Sequence, residues 1–288
     1  ILSEVIHFVI FADDYGGNES ASVQRHPDNH LKFDLFVDPT DMVPSGIKID
    51  KQYFIATMIH ENAHILSLGA NQGDNNVPPY DATPAEIKQF MNTHQNPLSC
   101  KTYYNDVAGC MNENSYLNAF FQKFWNKPVD ETNWIPNNEH KWEWEFSDRE
   151  SFEKHNENFS WKFKEHWITD YASENPDEDF AESFMAFVLK EPSTSGKCAM
   201  KPTPSPVPSG PQFCDCEKRV FTHYVEGLGK KSLVSYFPAG CGTATLTIQD
   251  QKKNFFYQYD ELKEMRSFIR NAIATSEFCD GGTVWNGK

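Results

Sequence analysis

His60-Glu61-Asn62-Ala63-His64 stands inside an apolar run, with Phe54-Ile55-Ala56-Thr57-Met58-Ile59 before it and Ile65-Leu66 after it. Gln52 to Leu68 contain no Pro, no Gly and a single ionised side chain, Glu61. Positions four apart lie on one face of a helix, so two imidazoles at this spacing can grip one metal ion. Glu61 follows the first histidine and can reach a water held on that metal. A solvated helix turns its charges outward, so a helix over about 51–68 is expected to be buried on most sides. Two histidines and a glutamate are costly in such a place unless each is paired or ligated. A core helix with hydrogen-bonded histidines is the alternative. Gly69 is expected to close the helix as a C-cap glycine.

Upstream, residues 30–38 alternate, with Leu31, Phe33, Leu35 and Val37 on one face and Lys32, Asp34 and Phe36 on the other. This pattern predicts a half-buried strand. Downstream, a polar loop covers 71–81, and Thr83-Pro84-Ala85-Glu86 reads as a capping box with Pro at the first helical position. That helix carries Ile87, Phe90, Met91 and His94. Tyr116, Leu117, Phe120, Phe121, Phe124 and Trp125 recur at helical spacing, a core stripe rather than an aromatic binding box. Val129 to Glu165 show no steady period and are expected to be an irregular insert with short elements. Asn175-Pro176-Asp177-Glu178 repeats the helix-start signal, and that helix runs to about Leu189 on Phe180, Phe184, Phe187 and Val188. A Pro- and Ser-rich linker follows from 191, extended or disordered, then a Cys-rich, β-leaning stretch to about 250. A last helix over about 260–274 is expected to bury Leu262, Met265, Phe268, Ile269, Ala272 and Ile273.

The chain has 288 residues, 23 Phe and 7 Trp, enough for a sizeable core in one domain over 1–288. A formal net charge of −15 argues against nucleic acid and anionic membranes, which need clustered Lys and Arg. No run of 18 apolar residues exists, so no membrane insertion is expected. The chain opens without Met or a signal pattern, and a mature form or a fragment is expected. Of seven cysteines, Cys100 and Cys110 bracket a loop rich in Tyr, Asn and Gly that suits a disulfide. Cys198, Cys214, Cys216, Cys241 and Cys279 crowd the last third. Cysteines gathered in loops favour a secreted protein, extracellular or from a bacterial periplasm, with about three disulfides and an odd thiol. Cys214-Asp215-Cys216 has the wrong spacing for a zinc knuckle. Sequons at Asn18 and Asn158 permit glycosylation.

The pentad has the HExxH form of zinc metallopeptidases. Catalytic zinc takes three protein ligands and keeps a fourth position for water, so a third ligand is required. A metzincin would place a histidine at position 70 and a glycine at 67, where this chain has Ala70 and Ser67. A thermolysin-like enzyme would use a glutamate about where Glu86 lies, although capping already explains that residue. Glu178 also sits at the N3 position of a helix. Glu182 lies four residues on, on the same face, where it can orient a metal-bound imidazole. Tyr171 precedes Glu178 by seven residues, where its hydroxyl can serve a reacting carbonyl.

The string Tyr171-Ala172-Ser173-Glu174-Asn175-Pro176-Asp177-Glu178-Asp179-Phe180-Ala181-Glu182-Ser183-Phe184 resembles the second zinc motif of one gluzincin group. That group includes the catalytic domain of anthrax lethal factor, the Pro-Pro endopeptidases and many secreted bacterial metallopeptidases. The match covers about 50–68 and 168–190, with a looser likeness around Ser115-Tyr116-Leu117-Asn118. The resemblance implies His60, His64 and Glu178 as ligands of one zinc ion, Glu61 as general base and Tyr171 as oxyanion stabiliser. It implies an α+β, zincin-like fold: a small mixed sheet over the HExxH helix and a glutamate-bearing helix, with a largely helical lower part. The expected activity is zinc-dependent endopeptidase, acting on a peptide or protein substrate. The strand at 30–38 is expected to be the sheet edge that receives extended peptide. Two rival readings are an inactive zinc-binding adhesion module of the same fold and a disulfide-built structural protein with a chance pentad.

Overall fold

The computed structural model describes residues 5–10, 20–38, 51–78, 82–94, 100–126, 139–190, 216–225, 229–238 and 246–275. The fold is α+β. Three strands, β1 (Val5–Ile10), β2 (Ala21–His26) and β3 (Asn29–Val37), form a mixed sheet in the order β1-β3-β2. β1 runs parallel to β3, and β2 antiparallel to it. β3 is therefore the central strand. The expectation that 30–38 forms a sheet edge is corrected: its N–H and C=O groups are taken on both sides, and β1 and β2 are the edges. Its apolar face is also shorter than expected. Phe33, Leu35 and Val37 are buried, whereas Leu31 is exposed at the strand's start.

Beneath the sheet lies α1 (Lys51–Leu68). Phe54 and Met58 pack up against Ala21, Leu35 and Val37, while Ile59, Ala63 and Ile65 face the helical half. A helix covered above and below has no use for a charged face, which explains its composition. Its C-terminus is not closed as expected. Among the described residues the one glycine with positive φ is Gly109, so Gly69 is no left-handed cap. Instead Arg25 of β2 reaches across, donating through Nη2 to the carbonyl of Leu68 at 2.5 Å and through Nε to that of Val107 at 3.1 Å. A guanidinium at a helix C-terminus satisfies an orphan carbonyl and opposes the negative end of the helix dipole.

The lower half gathers α2 (Pro84–His94), α3 (Tyr116–Phe124), α4 (Arg149–Lys162), α5 (Pro176–Leu189), α6 (Ile248–Phe255) and α7 (Asp260–Thr275). The 116–125 stripe is core, as its spacing predicts: Leu117, Phe120, Phe124 and Trp125 are buried. Phe120 meets Phe180 and Phe255 edge-on, with ring centroids 5.6 and 5.4 Å apart. α5 buries Phe180, Phe184, Phe187 and Val188 in the same core. Each such side chain contributes roughly 1.5–3 kcal/mol of burial. α5 is capped locally at its start and held by a distant helix at its end. Asn175 accepts the amide of Glu178 at 2.8 Å at its start, and Arg266 of α7 donates to the carbonyls of Phe187 and Lys190 at its end.

Three expectations on this half are corrected. The 129–165 stretch is not wholly irregular, because 149–162 form α4, capped by Asp148, which accepts the amide of Ser151. α7 leaves Phe268 exposed at 74% and Ala272 exposed, since only the face of Leu262, Met265, Ile269 and Ile273 meets the core. The end of the stretch expected to lean to β up to about 250 is helical, because Thr247 caps α6 at Ile248 by accepting the amide of Asp250.

Cys100 and Cys110 form a disulfide beside a short ladder of β4 (Tyr104–Asn105) and β5 (Gly109–Cys110). Segments 70–76 and 105–110 interlock there: a Cβ at Gly73 or Gly109 would collide with Ala108 or Asp74. Near the C-terminal side, β6 (Cys216–Val225) and β7 (Gly229–Pro238) pair antiparallel. Cys198, Cys214, Cys241, Cys279, Asn18 and the linker at 191–212 lie outside the described residues. Asn158 is exposed within α4 rather than on a loop. Among the described residues no helix is long and apolar enough to cross a membrane.

Candidate metal centre

α1 and α5 pack directly on each other, and both predicted motifs meet at that contact. His60 and His64, one turn apart, bring their Nε2 atoms to within 3.0 Å. Oε2 of Glu178 lies 3.0 Å from Nε2 of His60 and 3.3 Å from Nε2 of His64. Buried Oε2 makes no hydrogen bond of ordinary geometry, and its near neighbours are these two ring nitrogens. With both Nε2 atoms unprotonated, three electron-rich atoms converge on one point. Such an arrangement is costly unless a cation fills it.

The dimensions suit zinc. Ligands at about 2.0–2.1 Å from a tetrahedral ion stand roughly 3.3 Å apart, close to the separations of 3.0, 3.0 and 3.3 Å here. Two imidazoles and a carboxylate form a borderline donor set that favours zinc over calcium or magnesium. Among the described residues, His60, His64 and Glu178 form the His/Cys/Asp/Glu group with this metal-holding geometry.

The capping signal on α5 has split. Asn175 still caps the helix, but the Glu178 carboxylate turns to the histidines instead of back to the cap. Glu86 behaves in the opposite way. It accepts the Thr83 amide at 2.8 Å and the Thr83 hydroxyl at 2.7 Å, and it is exposed. The two helix-N3 glutamates, alike in sequence, have separate work.

Around this trio stand the other predicted residues. Nδ1 of His60 lies 2.7 Å from Oε1 of Glu182. A carboxylate only accepts, so that ring nitrogen carries the proton and Nε2 is the atom left to face a metal. Glu61 is buried on α1 and adds its negative charge at His64. Tyr171 opens a short 3-10 turn, Tyr171–Ser173, with its ring centroid 5.7 Å from that of His60. The residue is 44% exposed. Burial, followed by the charges of Glu178 and Glu174, holds that hydroxyl well above its ordinary pKa. It remains a proton donor at neutral pH.

The electrostatics favour a cation at the convergence point. Burial alone would lower the pKa of His60, but Glu178 and Glu182 outweigh it and the net shift is strongly upward. His64 is raised for the same reason, chiefly by Glu178. Burial opposes ionisation of Glu178, and the two histidines reverse that, pulling it far below its ordinary value. Beside it Asp177 and Glu174 are each pushed up to about 7, by burial first and by the charge of Glu178 among their neighbours.

Two contributors were not found in the sequence. Thr169 donates to Oε2 of Glu182 at 2.9 Å. Lys252 of α6 is fully buried and meets Asp179 Oδ2 at 2.6 Å, one residue after Glu178, while Trp125 Nε1 donates to the same oxygen at 2.9 Å. Neither Thr169 nor Lys252 belongs to a spaced motif. Comparison with family models, with curated proteins and with solved structures finds no match for this chain.

Proposed function

We propose that this chain is a zinc-dependent endopeptidase of gluzincin type with a zincin-like fold. The observation that carries the reading is the orphaned Oε2 of Glu178, set against two imidazole nitrogens from a helix more than a hundred residues earlier. A core helix whose histidines were satisfied by separate partners would not bring two imidazole nitrogens and a buried carboxylate oxygen to one point. A mixed sheet over α1, with α5 packed on α1 in turn, agrees with the zincin-like arrangement.

His60, His64 and Glu178 would hold the zinc, with Glu182 fixing the His60 ring through Nδ1. Zinc, when bound, supplies Lewis acidity at the scissile carbonyl and lowers the pKa of a bound water toward ~7. Glu61 takes a proton from the attacking water and delivers it to the leaving amine. The neutral hydroxyl of Tyr171 donates to the oxygen that gains charge as water adds. A peptide that joins the three-stranded sheet does so at β1 or β2, since β3 is enclosed. The Cys100–Cys110 disulfide supports an oxidising compartment, outside the cell or in a periplasm.

Elemental analysis after incubation with zinc, and cleavage of a mixed peptide library with and without chelator, test the reading together. Stoichiometric zinc with chelator-sensitive cleavage is the expected result. A chain that holds no transition metal overturns it. Zinc without cleavage of any peptide would leave a binding module in place of an enzyme.

A further inference from the structure

One hydroxyl joins the turn that carries Tyr171 to the helix that carries His60. Thr169 lies between α4 and α5, outside both motifs. Its Oγ1 donates to Oε2 of Glu182 at 2.9 Å and accepts the amide of Ala172 at 3.3 Å. Oε1 of the same Glu182 accepts Nδ1 of His60 at 2.7 Å. The links run without a gap from the amide following Tyr171, through Thr169 and Glu182, to the His60 ring.

We propose that Thr169 is a positioning residue that sets His60 and the Tyr171 hydroxyl in fixed relation to each other, an inference that rests on the metallopeptidase reading above. A carboxylate held at one oxygen can turn about its last bond. Held at both, Glu182 keeps Oε1 aimed at Nδ1. Removing the Thr169 hydroxyl releases that rotation and leaves the Ala172 amide without its acceptor, so both sides of the centre loosen at once. The turn is also closed on itself and anchored to α4: Ser173 Oγ donates to the Asp170 carbonyl at 2.6 Å and lies 3.2 Å from Oδ1 of Asn156. Those bonds fix the turn to the scaffold, whereas Thr169 fixes it to the metal ligand. Threonine suits this task because its branched Cβ restricts χ1 and holds the hydroxyl in place.

The test compares Thr169→Val, which keeps the shape and removes the hydroxyl, with Thr169→Ser, which keeps the hydroxyl. Zinc affinity is read by chelator competition, kcat and KM on a cleaved peptide, and exchange of the Ala172 amide in the metal-free chain. The thermal midpoint serves as the folding control. Thr169→Val should weaken zinc about 10–100-fold, the scale for groups behind a metal ligand. It should lower kcat more than it changes KM, and speed exchange at Ala172. Thr169→Ser should stay close to wild type. Thr169→Val combined with Tyr171→Phe should lose less kcat than the product of the single losses, because the positioned hydroxyl is already gone. If Thr169→Val does not fold, Thr169→Ala removes the hydroxyl and gives the same readouts. A folded Thr169→Val with wild-type zinc affinity and unchanged Ala172 exchange overturns the inference, as does a Thr169→Ser that falls equally far. Either result in an active, zinc-binding wild type leaves the metallopeptidase reading standing. A wild type without zinc removes both.

Discussion

Nδ1 of His60 and Oε1 of Glu182 lie 2.7 Å apart although 122 residues separate them in the chain. That bond decides which nitrogen of His60 faces Glu178. Breaking it with Glu182→Ala should weaken zinc binding about 10–100-fold without abolishing it. Titration against a competing chelator reads the change, and an unaltered affinity would show that Glu182 does not orient the ring.

Ligand and base should separate cleanly on α1. Glu61→Gln removes a proton acceptor and keeps both histidines, so zinc should stay bound while most turnover is lost. His60→Ala or His64→Ala should lose both. Near-wild-type cleavage by Glu61→Gln would sink the assigned mechanism.

The two helix-N3 glutamates make a paired control. Glu178→Ala should strip the metal, since its carboxylate faces both Nε2 atoms. Glu86→Ala should keep zinc and lower the melting temperature slightly, because Glu86 serves only its own cap. The reverse outcome would move the third ligand to α2.

Tyr171→Phe should bind zinc normally and lose roughly a hundredfold or more in kcat, the scale for one oxyanion donor. A loss expressed only in KM would place Tyr171 in substrate binding instead.

The metal-free chain should respond to pH in a defined direction. His60 and His64 bind protons more tightly folded than unfolded. Their contribution is complete below the ordinary histidine value of 6.5 and is lost as pH rises through the raised values. Glu178, lowered on folding, contributes above its ordinary 4.5 and loses that contribution as pH falls. With chelator present, the thermal midpoint should therefore fall as pH rises above the ordinary histidine value of 6.5. Zinc affinity should climb over the same interval as competing protons leave. A flat metal-free midpoint across that range would contradict the site's electrostatics.

Much of the centre was legible because its parts obey local rules. His60 and His64 announce themselves by four-residue spacing in a charge-poor helix, and α5 by Asn175 and Pro176 at its start. The remainder depends on contacts that no local pattern encodes. Lys252 sits in a short helix rich in polar residues, where a lysine reads as solvated. Only the fold reveals that it is sealed against Asp179 and Trp167. Thr169 is a lone hydroxyl in a connecting segment. The central place of β3 follows from pairing with β1, a parallel partner whose register the alternation of 30–38 cannot specify. α4 was missed because its apolar positions, Phe152 and Phe159, are sparse among charges.

The separation of the two halves of the site bears on how the molecule comes into being. At ordinary rates of translation, the stretch between His60 and Glu182 takes on the order of ten seconds to synthesise. Throughout that interval a paired-histidine stripe waits on a greasy helix with neither its carboxylate nor its cover. A nascent chain that stalls or is truncated before α5 can present only two of the three donors. Tight metal capture would thus report that translation has passed residue 182 and that α5 has docked, so that a metal bound there would mark a chain synthesised and folded through α5.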